Sequence, residues 1–458
     1  PSIDQSLLGH TYQVVMPMTV TKVKDGHTVE NTATQVTNDK RDKTNTVTNP
    51  LKEINPTKDV TVKVGGDSID GKSVYLNHTF LYRLDSSILP PDRAYQTVTD
   101  WGGTDQLNTE YDQYLGNWAV YASRDLYRDG QMLAAKGEKI AGSGFDSSKF
   151  GGNLFTVDAD ENGKVTADAT QAYLDIVSAD NEHEAGWVLY LQCKRIAVAD
   201  EVPNTWTETI NGQPRESNKV VTKTPDMTPS IHLEKVDTPT LKQDGQEQAD
   251  RDDPKQALKM DADNIGITFI ITNTSKTDPA TGDGAWYKAS DLNLADSTIV
   301  GDAHVDMDSL TYPDNWDTLA LKPGESVSVT GTLKGVKEGD THTDRAIVTG
   351  TPLVECAPSN GDPFNDKTDG GEDTDPEYST GDVTEIDGKQ LCADTQTTSN
   401  TDDWNGYRAK PLASTGVAVL GLAGGALAVL LAGGSLLVFR KRHYAQGSGR
   451  HTAVNAGK

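Results

Sequence analysis

Between residues 10 and 350 this chain is written almost entirely in short runs in which apolar or β-branched side chains alternate with polar ones. That period of two leaves few folds open. The runs are TYQVVM, KDVTVKV, SVYLNHTFLYRL, NWAVYA, NLFTVDA, WVLYLQCKRIAV, NKVVTKT, IGITFIITN, SVSVTGTL and RAIVTGT. They are rich in Val, Thr, Tyr and Ile, and Gly, Asn, Asp and Pro bound them, the usual chemistry of strands joined by turns. One short interior segment, DATQAYLDIV (168–177), reads as a helix. The expectation is an all-β chain of tandem immunoglobulin-like β-sandwich domains.

Proline-containing joints divide it. NPLKEINPTK (49–58), KTPDMTPS (223–230) and GTP (350–352) give a first part at 1–50, a sandwich at 51–226 and a stalk-repeat sandwich at 227–352. The chain opens at Pro1, and its first 50 residues read as the tail of a truncated sandwich, so it is expected to be the C-terminal part of a longer protein. Residues 353–411 are poor in apolar side chains and rich in Asp, Gly, Thr and Asn. They read as an acidic, irregular, wall-proximal stalk, or else as a hairpin set clasped by Cys356 and Cys392. Those two cysteines can close a loop in an extracytoplasmic protein, and the sequence leaves their pairing open. Cys193, in WVLYLQCKRIAV, reads as a small buried hydrophobe.

The chain has 42 Lys+Arg against 68 Asp+Glu, a formal net charge of -26. Nucleic acid and anionic bilayer surfaces are therefore poor partners, because the electrostatic term is repulsive. Against that background the C-terminal end stands out. Val417–Phe439 is an uncharged apolar run, long enough to cross about 30 Å of hydrocarbon as a transmembrane helix, and Arg440, Lys441 and Arg442 follow it. Directly before it stands Leu412-Ala413-Ser414-Thr415-Gly416. Motif, span and basic tail in this order (412–443) resemble the LPxTG-like cell-wall sorting signal of Gram-positive surface proteins. Ala413 stands where the usual motif has Pro, a variant similar to that used by class E sortases. The resemblance implies cleavage between Thr415 and Gly416, transfer of the Thr415 carboxyl to a peptidoglycan amine, and a cell-surface location with the membrane helix as a sorting intermediate.

A second pattern is internal. NTATQVTNDKRDKTNTV (31–47) and NTWTETINGQPRESNKV (204–220) carry asparagine at the same three places, Asn31, Asn38 and Asn45 against Asn204, Asn211 and Asn218. In both copies an alternating strand precedes the ladder and a proline joint follows it. NPTKDVTVKVGGDSIDGK, SSILPPDR, EYDQYLGNWAVYA, LYLQCKRIA and NGQPRESNKVVTKTP, in that order over roughly 50–225, resemble the C-terminal adhesin domain of the streptococcal antigen I/II family. That resemblance implies a β-sandwich with an internal isopeptide bond between a Lys on the first strand and an Asn on the last, assisted by a buried acid. The pattern falls on Lys58 and Asn218. Lys63 competes with Lys58, but alternation sets Lys58 on the face of Val60 and Val62, which both read as buried. For the acid, Asp100 in VTDWGG is preferred over Asp105 and Asp85.

The residue types suit the chemistry. Burial disfavours an ammonium and frees the amine. A buried carboxylic acid can donate to the carboxamide oxygen as charge develops there. Folding makes the encounter intramolecular. Asn45 has no partner lysine in this chain, and in the third domain, where Asp344 stands in place of an asparagine, no Lys–Asn pair is assigned.

Asp158, Asp160 and Asn162, in DADENGKVTAD, have the spacing of a calcium loop, although Ala169 stands where its bidentate acid belongs and ENGK also reads as a plain hairpin turn. No other cofactor is expected. No hydrolase elbow, phosphate loop or His-x-x-x-His motif is present. The functional expectation is a non-enzymatic, sortase-anchored surface adhesin or stalk that contacts an unidentified host or bacterial partner. The alternatives are the stalk of a surface enzyme with an upstream catalytic domain, or a pilus subunit.

Overall fold

The computed structural model describes residues 26–94, 96–238, 250–364 and 383–411, with scattered positions before residue 26. The expected sorting motif and membrane span, 412–443, lie outside the described residues.

Residues 57–224 form a β-sandwich. One sheet runs in the order Lys139–Gly142, Asp112–Ala122, Trp187–Arg195, Thr79–Asp85, Thr57–Thr61. The facing sheet runs Phe155–Ala159, Lys164–Ala169, Trp101–Gln106, Trp206–Ile210, Gln213–Glu216. Every pairing in both is antiparallel. Trp187 is wholly buried between the sheets and packs on Trp101, Phe155 and Trp206. These aromatics fill the gap because strand alternation sends them all to the inner face. The expected helix is present as Gln171–Ala179, with Tyr173, Leu174, Ile176 and Val177 packed onto the core. An additional ribbon, Ala199–Asn204 with Val220–Thr224, closes the sandwich beside its opening strand.

The ladder has a structural counterpart. Thr28–Asn31 pairs with Val47–Pro50 so that Asn31 stands opposite Val47, just as Asn204 stands opposite Val220. Inside each ribbon sits a tight hairpin, Thr34–Thr37 with Lys40–Lys43 and Trp206–Ile210 with Gln213–Glu216. Asn38 and Asn211 both have φ of 49°, and Asp39 and Gly212 follow with positive φ. Two successive left-handed residues make the turn that matches strand twist, and asparagine is among the few side chains that tolerate it. The 28–50 copy is exposed throughout. TYQVVM, expected as a strand, has no regular structure at residues 13–16.

The second sandwich begins at Ile231–Asp237, the edge of a sheet completed by Asn264–Asn273, Ser326–Lys334 and His304–Val305. Its facing sheet contains Asn293–Val300, Thr341–Gly350 and Asp402–Tyr407. The reading of 353–411 as an irregular stalk is corrected here. Asp402–Tyr407 is a strand of this sandwich, with Trp404 fully buried in its core, so the domain does not close at residue 352. Leu353–Glu355, Thr384–Ile386 and Lys389–Ala393 form a small three-stranded sheet, and a Cys356–Cys392 disulfide (S–S 2.04 Å, Cα–Cα 4.9 Å) staples its edge. Low apolar content misled because few side chains here face inward; strand pairing to Thr341–Gly350 supplies the rest. Phe364 returns to the first sandwich, buried against Leu81, Tyr121, Val188 and Tyr190.

Candidate functional site

Lys58 lies on Thr57–Thr61, an edge strand paired with Thr79–Asp85, with Lys58 opposite Leu84 and Val60 opposite Tyr82. Alternation turns Lys58 and Val60 inward, 3% and 0% exposed. Val62 does not join them; it is 62% exposed because the strand ends at Thr61, which bridges Ser68 as the chain turns. The expected burial of Val62 is therefore corrected, while Lys58 keeps the inward place that Val60 marks.

The Lys58 Nζ donates to Oδ2 of Asp105, and both side chains are excluded from solvent. The Tyr82 ring lies 4.5 Å from the ammonium, and the Tyr82 hydroxyl donates to Asp112 at 2.8 Å. Asp112 in turn pairs with the buried Arg195 at 2.9 Å. Burial lowers the Lys58 pKa, opposed in part by the charge and hydrogen bond of Asp105. The Oδ1 atom of Asp105 has no hydrogen-bond partner. Beneath the pair, burial pushes the Cys193 thiol up, leaving it an inert space-filler.

Asp100 is not the acid that meets Lys58. It precedes Trp101–Gln106, five residues from Asp105 and so roughly 16 Å along an extended chain. There its carboxylate accepts the Gly212 N–H at 3.1 Å and braces the 211–212 turn. Asp85 pairs with Arg83 at 2.7 Å, and burial raises its pKa.

Asn218 meets Lys58 at the wrong end for side-chain chemistry. Its Oδ1 accepts the Lys58 backbone N–H, and its Nδ2 donates to the Lys58 carbonyl, both at 2.8 Å. The carboxamide thus acts as one more rung on the sheet edge, at the root of the lysine rather than its tip. The first rung of the ladder is placed differently. Asn204 is 6% exposed and stands opposite Val220, a core residue, and its Nδ2 has no hydrogen-bond partner. Two residues on, Trp206 pairs directly with Asp105, and its indole N–H donates to the Thr57 carbonyl at 3.0 Å. Asn204 is thus buried two residues before the tryptophan that pairs with Asp105. The three asparagines have three places: turn, edge rung and buried orphan. The ladder alone does not separate Asn204 from Asn218; the position of Asn204 opposite Val220 appears only in the strand register.

Asp158, Asp160 and Asn162 belong to the Phe155–Ala159/Lys164–Ala169 hairpin. The Oδ1 of Asp160 accepts the N–H groups of Asn162 and Lys164, each at 2.9 Å, so the turn itself uses the carboxylate. Among the described residues no group of three His, Cys, Asp or Glu is arranged to hold a metal ion. The calcium reading gives way to the hairpin.

The arrangement pairs a buried amine with a buried carboxyl, and on the neighbouring ribbon it buries a carboxamide whose Nδ2 has no hydrogen-bond partner; these residue types are the reactants and proton carrier of an amide exchange. Comparisons with known proteins bear on the family of the domain. A family described as "Cell surface antigen C-terminus" matches residues 55–225, and "Cell surface antigen I/II C2 terminal domain" matches 3–51. An Enterococcus faecalis protein named aggregation substance is 36% identical over 225 residues, 48% of this chain and 16% of that protein. The chain thus spans about a sixth of that relative. Among solved structures, the C-terminal domain of the Streptococcus pyogenes antigen I/II-family protein AspA is 28% identical, covering 43% of this chain and 54% of that one, with a TM-score of 0.37. The Streptococcus agalactiae AgI/II polypeptide BspA C-terminal domain is 24% identical, covering 43% and 58%, with a TM-score of 0.38. Residues 55–225 thus match a cell-surface-antigen C-terminal domain, and the residues before them match an antigen I/II C2 domain.

Proposed function

We propose that this chain is the wall-proximal part of a sortase-anchored surface adhesin whose first sandwich is cross-braced by an amide between Lys58 and Asn204, formed with the help of Asp105. The observation that carries the reading is the buried Lys58–Asp105 pair together with Asn204, buried two residues before the Trp206 that pairs with Asp105 and unpartnered at Nδ2. Asp105 takes a proton from the ammonium, and the neutral Nζ attacks Cγ of Asn204. Asp105 then returns that proton to the departing nitrogen, takes the surplus proton from the attacking nitrogen and ends protonated. A C–N bond forms, another breaks, and ammonia leaves. The reaction runs once per molecule, so it is maturation and not turnover.

The tie has a mechanical sense. Thr57–Thr61 is an edge strand with one full strand neighbour, otherwise held by the Asn218 rung, the Trp206 indole and the Thr61–Ser68 bridge, so it is exposed to peeling under tension. An amide to Asn204 turns that peeling into bond cleavage. Leu412–Gly416 would hand Thr415 to a sortase and then to peptidoglycan, leaving the domains outside the cell. A relative named an aggregation substance supports contact with another bacterial or host surface as the task. Proteolysis of the purified chain followed by tandem mass spectrometry tests the bond: a branched peptide joining Lys58 to Asn204, lighter by about 17 Da of ammonia, is expected. Only linear Lys58 peptides would end the reading. Wall fractionation of Thr415→Ala tests the anchor, which should leave the protein with the membrane and free of peptidoglycan.

A further inference from the structure

The second sandwich contains a buried lysine of its own. Lys235 lies on the domain's opening strand, Ile231–Asp237, and is 0% exposed. Its Nζ reaches across the core to two carboxylates of the facing sheet: Asp296 Oδ2 at 2.5 Å, with good hydrogen-bond geometry, and Asp344 Oδ1 at 2.6 Å, outside it. The side chains of Lys235 and Asp344 are both fully buried, and that of Asp296 is 2% exposed. His342 Nε2 lies 3.1 Å from the other oxygen of Asp344. The strand itself is pinned as the Lys58 strand is, because Asn400 brackets Leu233 by accepting from its N–H and donating to its carbonyl, each at 2.9 Å. The Lys235 N–H donates to Asp402 at 2.5 Å.

One ammonium between two carboxylates leaves a net negative charge in a dry core. A simple ion pair leaves that imbalance and the desolvation cost of both partners in place. Asp296 relieves part of it: burial, reinforced by the neighbouring Asp344 charge against the pull of Lys235, pushes its pKa up to about 6. A carboxyl that holds a proton beside an amine and a second carboxyl has the parts needed for condensation.

We propose that Lys235 and Asp344 condense to an intramolecular amide that stitches the two sheets of the second sandwich together, with Asp296 as the proton carrier. The ammonium gives a proton to Asp344, and the neutral Nζ attacks its Cγ. Asp296 donates to the departing hydroxyl and recovers its proton from the attacking nitrogen. One C–N bond forms and one C–O bond breaks. Water leaves, and no charge remains on either partner. Asp344 is the electrophile because its oxygens lack hydrogen bonds while in contact with the amine; Asp296 is engaged as an acceptor and serves the proton.

The products of the two sandwiches differ, which makes them separable. A Lys–Asp amide removes water, about 18 Da, where a Lys–Asn amide removes ammonia, about 17 Da. Peptide mapping of the full chain should give a branched peptide joining Lys235 to Asp344. Asp344→Asn should give the identical branched peptide with ammonia lost instead. Asp296→Asn should remain folded by near-ultraviolet circular dichroism and yield only linear peptides. Linear Lys235 peptides from the folded parent chain would overturn the proposal, and so would a branch to Asp296. Either result stands independently of the Lys58 bond, which is read on its own peptide.

Discussion

The two buried-end and edge-end asparagines make opposite predictions under the same small substitution. Asn204→Ala removes the electrophile and leaves the Lys58–Asp105 pair intact. The tie it abolishes closes a loop of roughly 150 residues, for which chain entropy gives on the order of 5 kcal/mol. A domain of this size shifts its Tm by about 2–4 °C per kcal/mol, so the variant should melt about 10–20 °C lower and keep the ammonia. Asn218→Ala removes two neutral hydrogen bonds from an exposed strand edge, about 1–2 kcal/mol, and should still show the mass loss. Calorimetry and intact mass on the same samples read both quantities. An Asn204→Ala protein that still loses ammonia, or an Asn218→Ala protein that retains it, would refute the assignment of Asn204 and return the bond to Asn218.

Other outcomes follow from the same geometry. Asp105→Asn should block the Lys58 bond, seen as retained mass, and in denaturant titration should destabilise by more than Asn204→Ala does, because it also strands a buried ammonium, worth about 3–5 kcal/mol. Asp402, whose pKa burial raises to about 7, binds its proton more tightly folded than unfolded. Its contribution is therefore greatest at low pH and is lost between about pH 4 and pH 7, so the second sandwich should melt lower at pH 8 than at pH 5. Asp402→Asn should flatten that slope while keeping an acceptor for the Lys235 N–H. Replacing Cys356 and Cys392 together by Ser opens a loop of sequence separation 36, for which about 4 kcal/mol is expected in chemical denaturation of the second sandwich.

Much of this was legible in the chain. The alternating runs announced strands, and Val60 was enough to turn Lys58 inward. The ladder marked the closing ribbons because its middle asparagine must occupy a left-handed turn whatever surrounds it. What failed was whatever depended on partners distant in sequence. Asp105 outranks Asp100 only once Trp101–Gln106 is seen to run under the opening strand. The proposal of Asn204 in place of Asn218 needs the register that sets Val220 opposite it. Asp402–Tyr407 reads as stalk because Trp404 and Tyr407 are its only apolar side chains among Asp, Asn and Gly, while the burial of Trp404 and pairing to Thr341–Gly350 secure it. Val62 misled for the reverse reason, since an apolar residue just beyond a strand end continues the pattern on paper only.

Pulling the first sandwich from its ends in a single-molecule force experiment tests the cross-brace most directly. With Lys58 joined to Asn204, unfolding should release only the short segments outside the tie, and about 50 nm of chain between them should stay closed up to forces that break covalent bonds. A step that adds those 50 nm at ordinary unfolding forces would contradict the account.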